Sequence, residues 1–84
     1  MSDGAYSLVW TKEAVVEWQR LPLRQALDIA NNVTALVRDP YPAGFAVVVP
    51  DEDGLYLLHV GGVSVLYEIV GFTIRVLAVV GRET

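Results

Sequence analysis

The 84-residue chain has no cysteine and only one lysine. Without cysteine, disulfides, thiolate chemistry and cysteine-type zinc sites are excluded, and a cytoplasmic location is the default expectation. Positive charge is scarce too, because six lysine and arginine residues stand against ten acidic residues, for a net charge of −4. Nucleic-acid binding rests mainly on lysine and arginine contacts to phosphate. The composition therefore argues against a broad basic surface and against direct DNA binding, and leaves open a local site for one phosphate group.

Long hydrophobic runs are also missing. No apolar run reaches the roughly 18 residues that a membrane span requires, so we expect no transmembrane segment and no membrane partner. The acidic, polar start at residues 1–4 does not match a secretory signal, which begins with basic residues. Hydrophobic residues nevertheless make up 54% of the chain and charged residues 19%, which excludes disorder. We expect a single domain over residues 1–84.

The first half of the chain shows one strand pattern and two helix patterns. Residues 5–10 mix β-branched and aromatic side chains, which predicts a strand, and Thr11 is a plausible helix N-cap. Apolar residues at three- and four-residue spacing then predict a short helix that ends before Pro22. A second apolar stripe predicts a helix over residues 23–38. The short connection between the two predicts a helical hairpin.

After Gly44 the pattern changes to β-rich segments at residues 45–49, 55–60, 63–70 and 72–80, separated by turn signals. The order of elements predicts an α+β domain of the form β-α-α-β-β-β(-β), in which the helical hairpin covers one face of an antiparallel sheet. Strict alternation in the last strand places its even-numbered residues, from Ile74 to Val80, on one face.

These strands lack the apolar–polar alternation expected of a sheet with one face in water. Two helices cover only one face of a small sheet, so Leu57 and Leu66 should lie exposed on the other face. Ser64 and Glu68 should lie beside them as a polar margin. Exposed apolar patches of this kind typically mark a protein interface. The pattern therefore predicts that this face binds another protein, either a second copy of the chain or a different partner.

Several short motifs occur in a fixed order along nearly the whole chain. In sequence order they are Trp10-Thr11 with Ala14 and Trp18, Leu21-Pro22, Asp39-Pro40, Gly54-Leu55-Tyr56, Val60-Gly61-Gly62, Val65-Leu66-Tyr67-Glu68-Ile69 and Val80-Gly81-Arg82. No single motif is specific. The ordered set, at this chain length, resembles the RelE/ParE toxin superfamily of bacterial type II toxin–antitoxin modules. The resemblance implies a RelE-like fold, a cognate antitoxin as partner, a cytoplasmic location and no cofactor.

In the RNA-cleaving branch, the resemblance implies an mRNA endonuclease, or mRNA interferase, that acts on ribosome-bound message. Cleavage by a ribose 2′-hydroxyl requires a base, cations for the developing phosphorane charge and an acid for the leaving oxygen. Members usually supply lysine, arginine or histidine on the exposed sheet face. Here Leu57 and Ser64 stand where cations are expected, which leaves His59 and Arg82 as a reduced catalytic pair.

Two hypotheses follow. The chain is a toxin with weak RNA cleavage carried by His59 and Arg82, or an inactive interaction protein that dimerises or binds an antitoxin through its apolar sheet face. If neither residue is catalytic, His59 is a polar residue on a half-exposed strand and Arg82 is a solvated terminal charge. Ser64 and Glu68 either form a polar pocket with His59 or are ordinary surface residues. The acidic residues 51–53 are interpreted as a solvated turn, and no metal site is expected.

Overall fold

The computed structural model describes residues 6–39, 46–48 and 54–81. Two helices and five strands account for most of them. In chain order they are β1 (Ser7–Trp10), α1 (Lys12–Gln19), α2 (Leu23–Ala35), β2 (Ala46–Val48), β3 (Leu55–Val60), β4 (Val63–Val70) and β5 (Thr73–Gly81). This order confirms the predicted α+β class. Within the described residues no helix is both long enough and apolar enough to cross a bilayer.

The helices begin where local signals place them. Thr11 caps α1, since its Oγ1 accepts a hydrogen bond from the Ala14 amide at 3.2 Å. α2 begins after Pro22 and ends at Ala35, three residues earlier than the apolar stripe predicts. The final residues form a tighter turn instead, with the Arg38 amide donating to the Ala35 carbonyl at 3.1 Å. Such i-to-i+3 bonds commonly tighten the last turn of a helix.

The strands form one sheet in the order β1-β5-β4-β3-β2. The pairs β2–β3, β3–β4 and β4–β5 are antiparallel, whereas β1 and β5 are parallel. The expectation of a wholly antiparallel sheet is therefore wrong for this one pair, and the sheet is mixed. Tight turns at Gly61-Gly62 and Gly71-Phe72 force consecutive strands to reverse direction. β1 and β5 are joined by the whole intervening chain, so no turn constrains their relative direction.

A β-bulge in β5 changes which of its side chains face the helices. Tyr67 pairs with Val76 and Leu66 pairs with Ala78, so Leu77 has no partner on β4. The extra residue reverses the alternation, and Val79 is buried together with Ile74 and Val76. The expectation that all even-numbered residues of β5 share one face is therefore wrong beyond Val76.

The hydrophobic core lies between the sheet and the helices. α1 and α2 contribute small and branched side chains, and the sheet contributes a larger set that includes Tyr67, which is fully buried as its position predicts. The core cluster consists of Ala14, Ile29, Val33, Leu36, Leu58, Val63, Val65, Tyr67, Ile74, Val76 and Val79. The core residues of β3, β4 and β5 lie on one side of these strands, and neither of the two described helices packs on the opposite side of the sheet.

Candidate functional site

The side of the sheet opposite the helices, called here the open sheet face, holds most of the residues that the sequence singled out. Side chains alternate along a strand, so the neighbours of the buried residues Leu58, Val65 and Tyr67 point to this face. In the described strands β1, β5, β4 and β3 it consists of Ser7, Val9, Thr73, Arg75, Ala78, Val80, Ser64, Leu66, Glu68, Val70, Leu55, Leu57 and His59.

His59 and Ser64 form a polar pair at one end of the open sheet face. They are direct cross-strand neighbours on β3 and β4, and 3.0 Å separates His59 Nδ1 from Ser64 Oγ. The two-residue turn Gly61-Gly62 brings these strands together, which explains why residues five apart in sequence meet. The contact orients the imidazole ring, and leaves Nε2 as the nitrogen available for acid or base chemistry.

Leu57 and Leu66 form the centre of the open sheet face. They are paired directly across β3 and β4, and Leu66 also pairs with Ala78 on β5. Each leucine is half-buried, and neither belongs to the set of residues that pack against the hydrophobic core. They lie on the face that the two described helices do not cover, as the sequence predicts, but they are partly buried rather than exposed.

Glu68 and Arg75 form an ion pair at the other end of the open sheet face. Arg75 Nη1 donates to Glu68 Oε2 across β4 and β5, and the Arg75 and Glu68 side chains are 48% and 25% exposed. Ser64 and Glu68 are four residues apart on β4, which corresponds to about 13 Å. Leu66 lies between them, so Glu68 shares no pocket with the His59–Ser64 pair.

Arg75 is the residue of this site that sequence reasoning missed. Because Arg75 lies between the core residues Ile74 and Val76, alternation alone places its side chain on the open sheet face. Its pairing with Glu68 follows from the two-residue turn Gly71-Phe72, which sets the register of β4 and β5 as far as the bulge. Arg82, the arginine that the sequence analysis singled out, lies outside the described residues, as do the acidic residues 51–53.

The electrostatics of the open sheet face are close to neutral in its described part. The single arginine there is matched by the single carboxylate, and the remaining side chains are apolar or uncharged when His59 is neutral. Phosphate binding requires cations that are not already paired. The described residues also contain no group of three acidic or histidine side chains that could hold a metal ion. This part of the face is therefore better suited to contact with a protein than with a polyanion.

An apolar groove opens on the helical side of the molecule. It has a volume of about 380 Å³ and is lined by Trp10, Val15, Trp18, Ala30 and Thr34. Trp10 and Trp18 contact each other edge to face with ring centroids 5.9 Å apart, and Trp18 Nε1 donates to the Ala26 carbonyl at 2.9 Å. The two tryptophans pack against the core as the sequence predicts, and they also form the wall of this groove.

Comparison with solved structures identifies the fold. Over 93% of this chain and 96% of the other, the backbone matches a protein of the archaeal RelE–RelB complex from Pyrococcus horikoshii OT3, with a TM-score of 0.82 and 21% identity. The chain has the fold of the RelE and ParE toxins. A chain of the RelBE2 toxin–antitoxin complex from Mycobacterium tuberculosis matches at TM-score 0.80 and 23% identity, covering 93% of this chain and 99% of that one.

A third structure with the RelE/ParE fold that matches is a chain of the chromosomal ParDE system from P. aeruginosa. It has a TM-score of 0.74 and 22% identity, over 96% of this chain and all of the other. No protein-family model and no curated protein sequence matches the chain. The fold implied by the ordered motifs is confirmed.

Proposed function

We propose that this protein is the toxin component of a bacterial type II toxin–antitoxin module, acts in the cytoplasm and cleaves mRNA weakly. The observation that carries the proposal is the RelE/ParE fold, which matches solved toxins over 93–96% of the chain. Several of these toxins were solved in complex with an antitoxin. A cognate antitoxin is accordingly the proposed protein partner, and ribosome-bound mRNA is the proposed substrate.

The chemistry available on the open sheet face supports weak rather than strong cleavage. His59 is placed to exchange a proton with the attacking 2′-hydroxyl or the leaving oxygen through Nε2, while Ser64 holds the ring through Nδ1. The developing phosphorane charge requires a cation. Arg75 is paired with Glu68 and lies about four residues along the strand from the histidine, so this role is assigned to Arg82.

The magnitude of the defect follows from the missing cations. Loss of one preorganised donor to a transition-state charge costs about 2.7–4 kcal/mol, or roughly 10²–10³ in rate. Leu57 and Ser64 occupy open-face positions where RNA-cleaving members usually carry cations. We therefore expect cleavage that is slow by the standard of that branch, and that depends on His59.

Primer extension on mRNA bound to purified ribosomes tests this function. The wild-type chain should give weak cleavage that His59→Ala abolishes, while Gln25→Ala, an exposed change on α2, leaves it intact. Strong cleavage would contradict the proposed weakness. Cleavage that persists unchanged in His59→Ala would remove His59 from the mechanism.

The second candidate is an interaction protein that has lost cleavage. The half-buried pair Leu57 and Leu66, which neither α1 nor α2 covers, favours this role. The proposed partner is the small protein encoded by a neighbouring reading frame, and the assay is co-purification. Leu57→Asp with Leu66→Asp should abolish it, and Leu23→Asp with Leu27→Asp, a matched pair of exposed leucines on α2, should not. The reverse pattern would assign partner binding to the helical side.

A further inference from the structure

One row of side chains crosses the open sheet face in a chemically symmetric order. The cross-strand registers align Val9 on β1 with Arg75 on β5, Arg75 with Glu68 on β4, and Glu68 with Leu55 on β3. Read across the sheet, the row is apolar, cationic, anionic, apolar. Reversing the row exchanges the two charges and leaves an apolar residue at each end. A surface with this property is complementary to a copy of itself.

The centre of this row lies between β4 and β5. A copy turned by 180° about an axis parallel to the strands at that position faces the first copy, with β5 over β4. Arg75 of each copy then lies opposite Glu68 of the other. Val9 of each copy lies opposite Leu55 of the other. The axis therefore pairs both charges and both apolar ends at once.

Two further cross-strand pairs on β4 and β5 agree with the same axis. Ala78 and Leu66 are cross-strand neighbours on β5 and β4, so the rotation places the small side chain of one copy against the large side chain of the other. Ser64 and Val80 are likewise neighbours and exchange places. Small-to-large contacts of this kind allow facing sheets to interdigitate at about 10 Å separation.

From this symmetry we propose that two copies of the chain associate face to face through the open sheet face, about a two-fold axis parallel to the strands between β4 and β5. The inference deepens the interaction role proposed above for this face and rests on it. In the dimer the ion pair within each copy becomes part of a four-charge network in which every charge has two opposite neighbours.

Charge distribution directs association to this face. The chain carries a net charge of −4, and Glu68 and Arg75 together contribute none of it. Two copies therefore repel each other through the rest of their surfaces and meet without net repulsion here. Such complementarity fixes orientation and excludes wrong encounters more than it adds affinity.

The size of the face predicts a weak dimer. Four strands at about 4.8 Å spacing give a width of about 19 Å, and six residues along a strand give a length of about 20 Å. The flat area is about 400 Å² per copy, or about 800 Å² in total, below the roughly 1,600 Å² of a standard interface. The dimer should therefore dissociate on dilution. Because it covers Ser64 and Leu66, it competes with RNA and with any partner that uses this face.

Sedimentation equilibrium of the full chain, from low micromolar to near-millimolar concentration, tests the proposal. Wild type should dimerise with increasing concentration. Arg75→Glu makes the row doubly acidic and Glu68→Arg makes it doubly basic, so each variant alone should associate at least about tenfold more weakly. An equimolar mixture of the two variants should recover association, because the acidic face of one meets the basic face of the other.

Each departure from this pattern overturns the inference. If wild type is monomeric at every concentration, the dimer is excluded. Antitoxin binding and RNA cleavage are not affected by that result, because they are tested by separate assays. If the two charge variants associate as strongly as wild type, or if their mixture shows no recovery of association, the wild-type dimer uses another surface. Leu27→Asp, an exposed change on α2, is the control and should dimerise as wild type does.

A second measurement avoids charge reversal and any folding defect it causes. The chain has no cysteine, so single cysteines report position without background. In wild-type background, a mixture of Leu66→Cys and Ala78→Cys should be joined by a short bismaleimide that spans about 10 Å, the separation of facing sheets. Leu27→Cys should give no comparable product. Equal crosslinking in the mixture and in Leu27→Cys would show random collision and contradict the proposed axis.

Discussion

The amide of Val79 on β5 donates a hydrogen bond to Oε1 of Glu17 on α1, with 2.9 Å between the two atoms. β5 has nine residues and β1 has four, and their pairing ends at Trp10 and Val76. Beyond that point α1 replaces β1 as the neighbour of β5. Thr11 Oγ1 donates to the Leu77 carbonyl at 3.1 Å, immediately next to the bulge. Two side chains of the helix thus satisfy backbone groups that a strand would otherwise satisfy.

Glu17→Ala should lower the free energy of unfolding by about 1–3 kcal/mol, because the buried Val79 amide loses its acceptor. Glu17→Gln keeps an acceptor oxygen without the charge and should cost less. Urea denaturation followed by circular dichroism measures both. Gln19→Ala, an exposed change on the same helix, should stay within about 0.5 kcal/mol of wild type. A loss in Glu17→Ala no greater than that would mean that the bond contributes nothing in solution.

Gly54→Ala should destabilise the fold more than Gly71→Ala. Both glycines have positive φ, +73° and +60°, so each alanine carries a similar backbone strain of about 1–2 kcal/mol. A Cβ at Gly54 would additionally lie 2.9 Å from the Ile69 carbonyl oxygen, whereas a Cβ at Gly71 meets open space. Thermal unfolding of the two variants compares these costs. Equal melting temperatures would show that the backbone at the start of β3 shifts without loss of stability.

Trp18→Phe should loosen the helical hairpin. The indole Nε1 joins α1 to α2 by donating to the Ala26 carbonyl, and phenylalanine keeps a ring beside Trp10 but has no donor. We expect a loss of about 0.5–1.5 kcal/mol from the hydrogen bond, with a further loss from reduced packing. Denaturation curves give the value, and Leu23→Ala, at a 74% exposed position on α2, is the control. A variant as stable as wild type would show that the bond is replaced by water.

Glu68→Gln should increase RNA affinity. The substitution releases the Arg75 guanidinium from its carboxylate, and an exposed pair of this kind is worth up to about 1 kcal/mol, or roughly fivefold in binding. Glu13→Gln, on the exposed side of α1, changes the net charge by the same amount and serves as the control. Fluorescence anisotropy with a short RNA measures both. An equal gain in the two variants would indicate a net-charge effect without a role for Arg75.

Local sequence patterns determined much of the secondary structure. Strands 55–60 and 63–70 were predictable to the residue, because alternating β-branched residues and the intervening Gly61-Gly62 turn act over short distances. The same holds for the N-cap at Thr11 and for the burial of Tyr67. The apolar pair Leu57 and Leu66 was predictable too, because a hairpin of known turn length has only one register.

Some features of the fold could not be predicted from the sequence and became visible only in the tertiary structure. No short turn connects β1 to β5, so the direction of β1 beside β5 was open, and the bulge at Leu77 interrupts the β4–β5 hairpin where the residue types give no sign of it. Strand direction and register between β1 and β5 are decided by how the helices pack on the sheet, and a bulge reverses alternation without leaving a mark in the residue types. By itself the sequence determined which segments fold and that one sheet face is apolar at its centre. Only the tertiary structure decided that β1 runs parallel to β5 and that β5 carries a bulge, because no short turn joins β1 to β5 and a bulge requires no particular residue type.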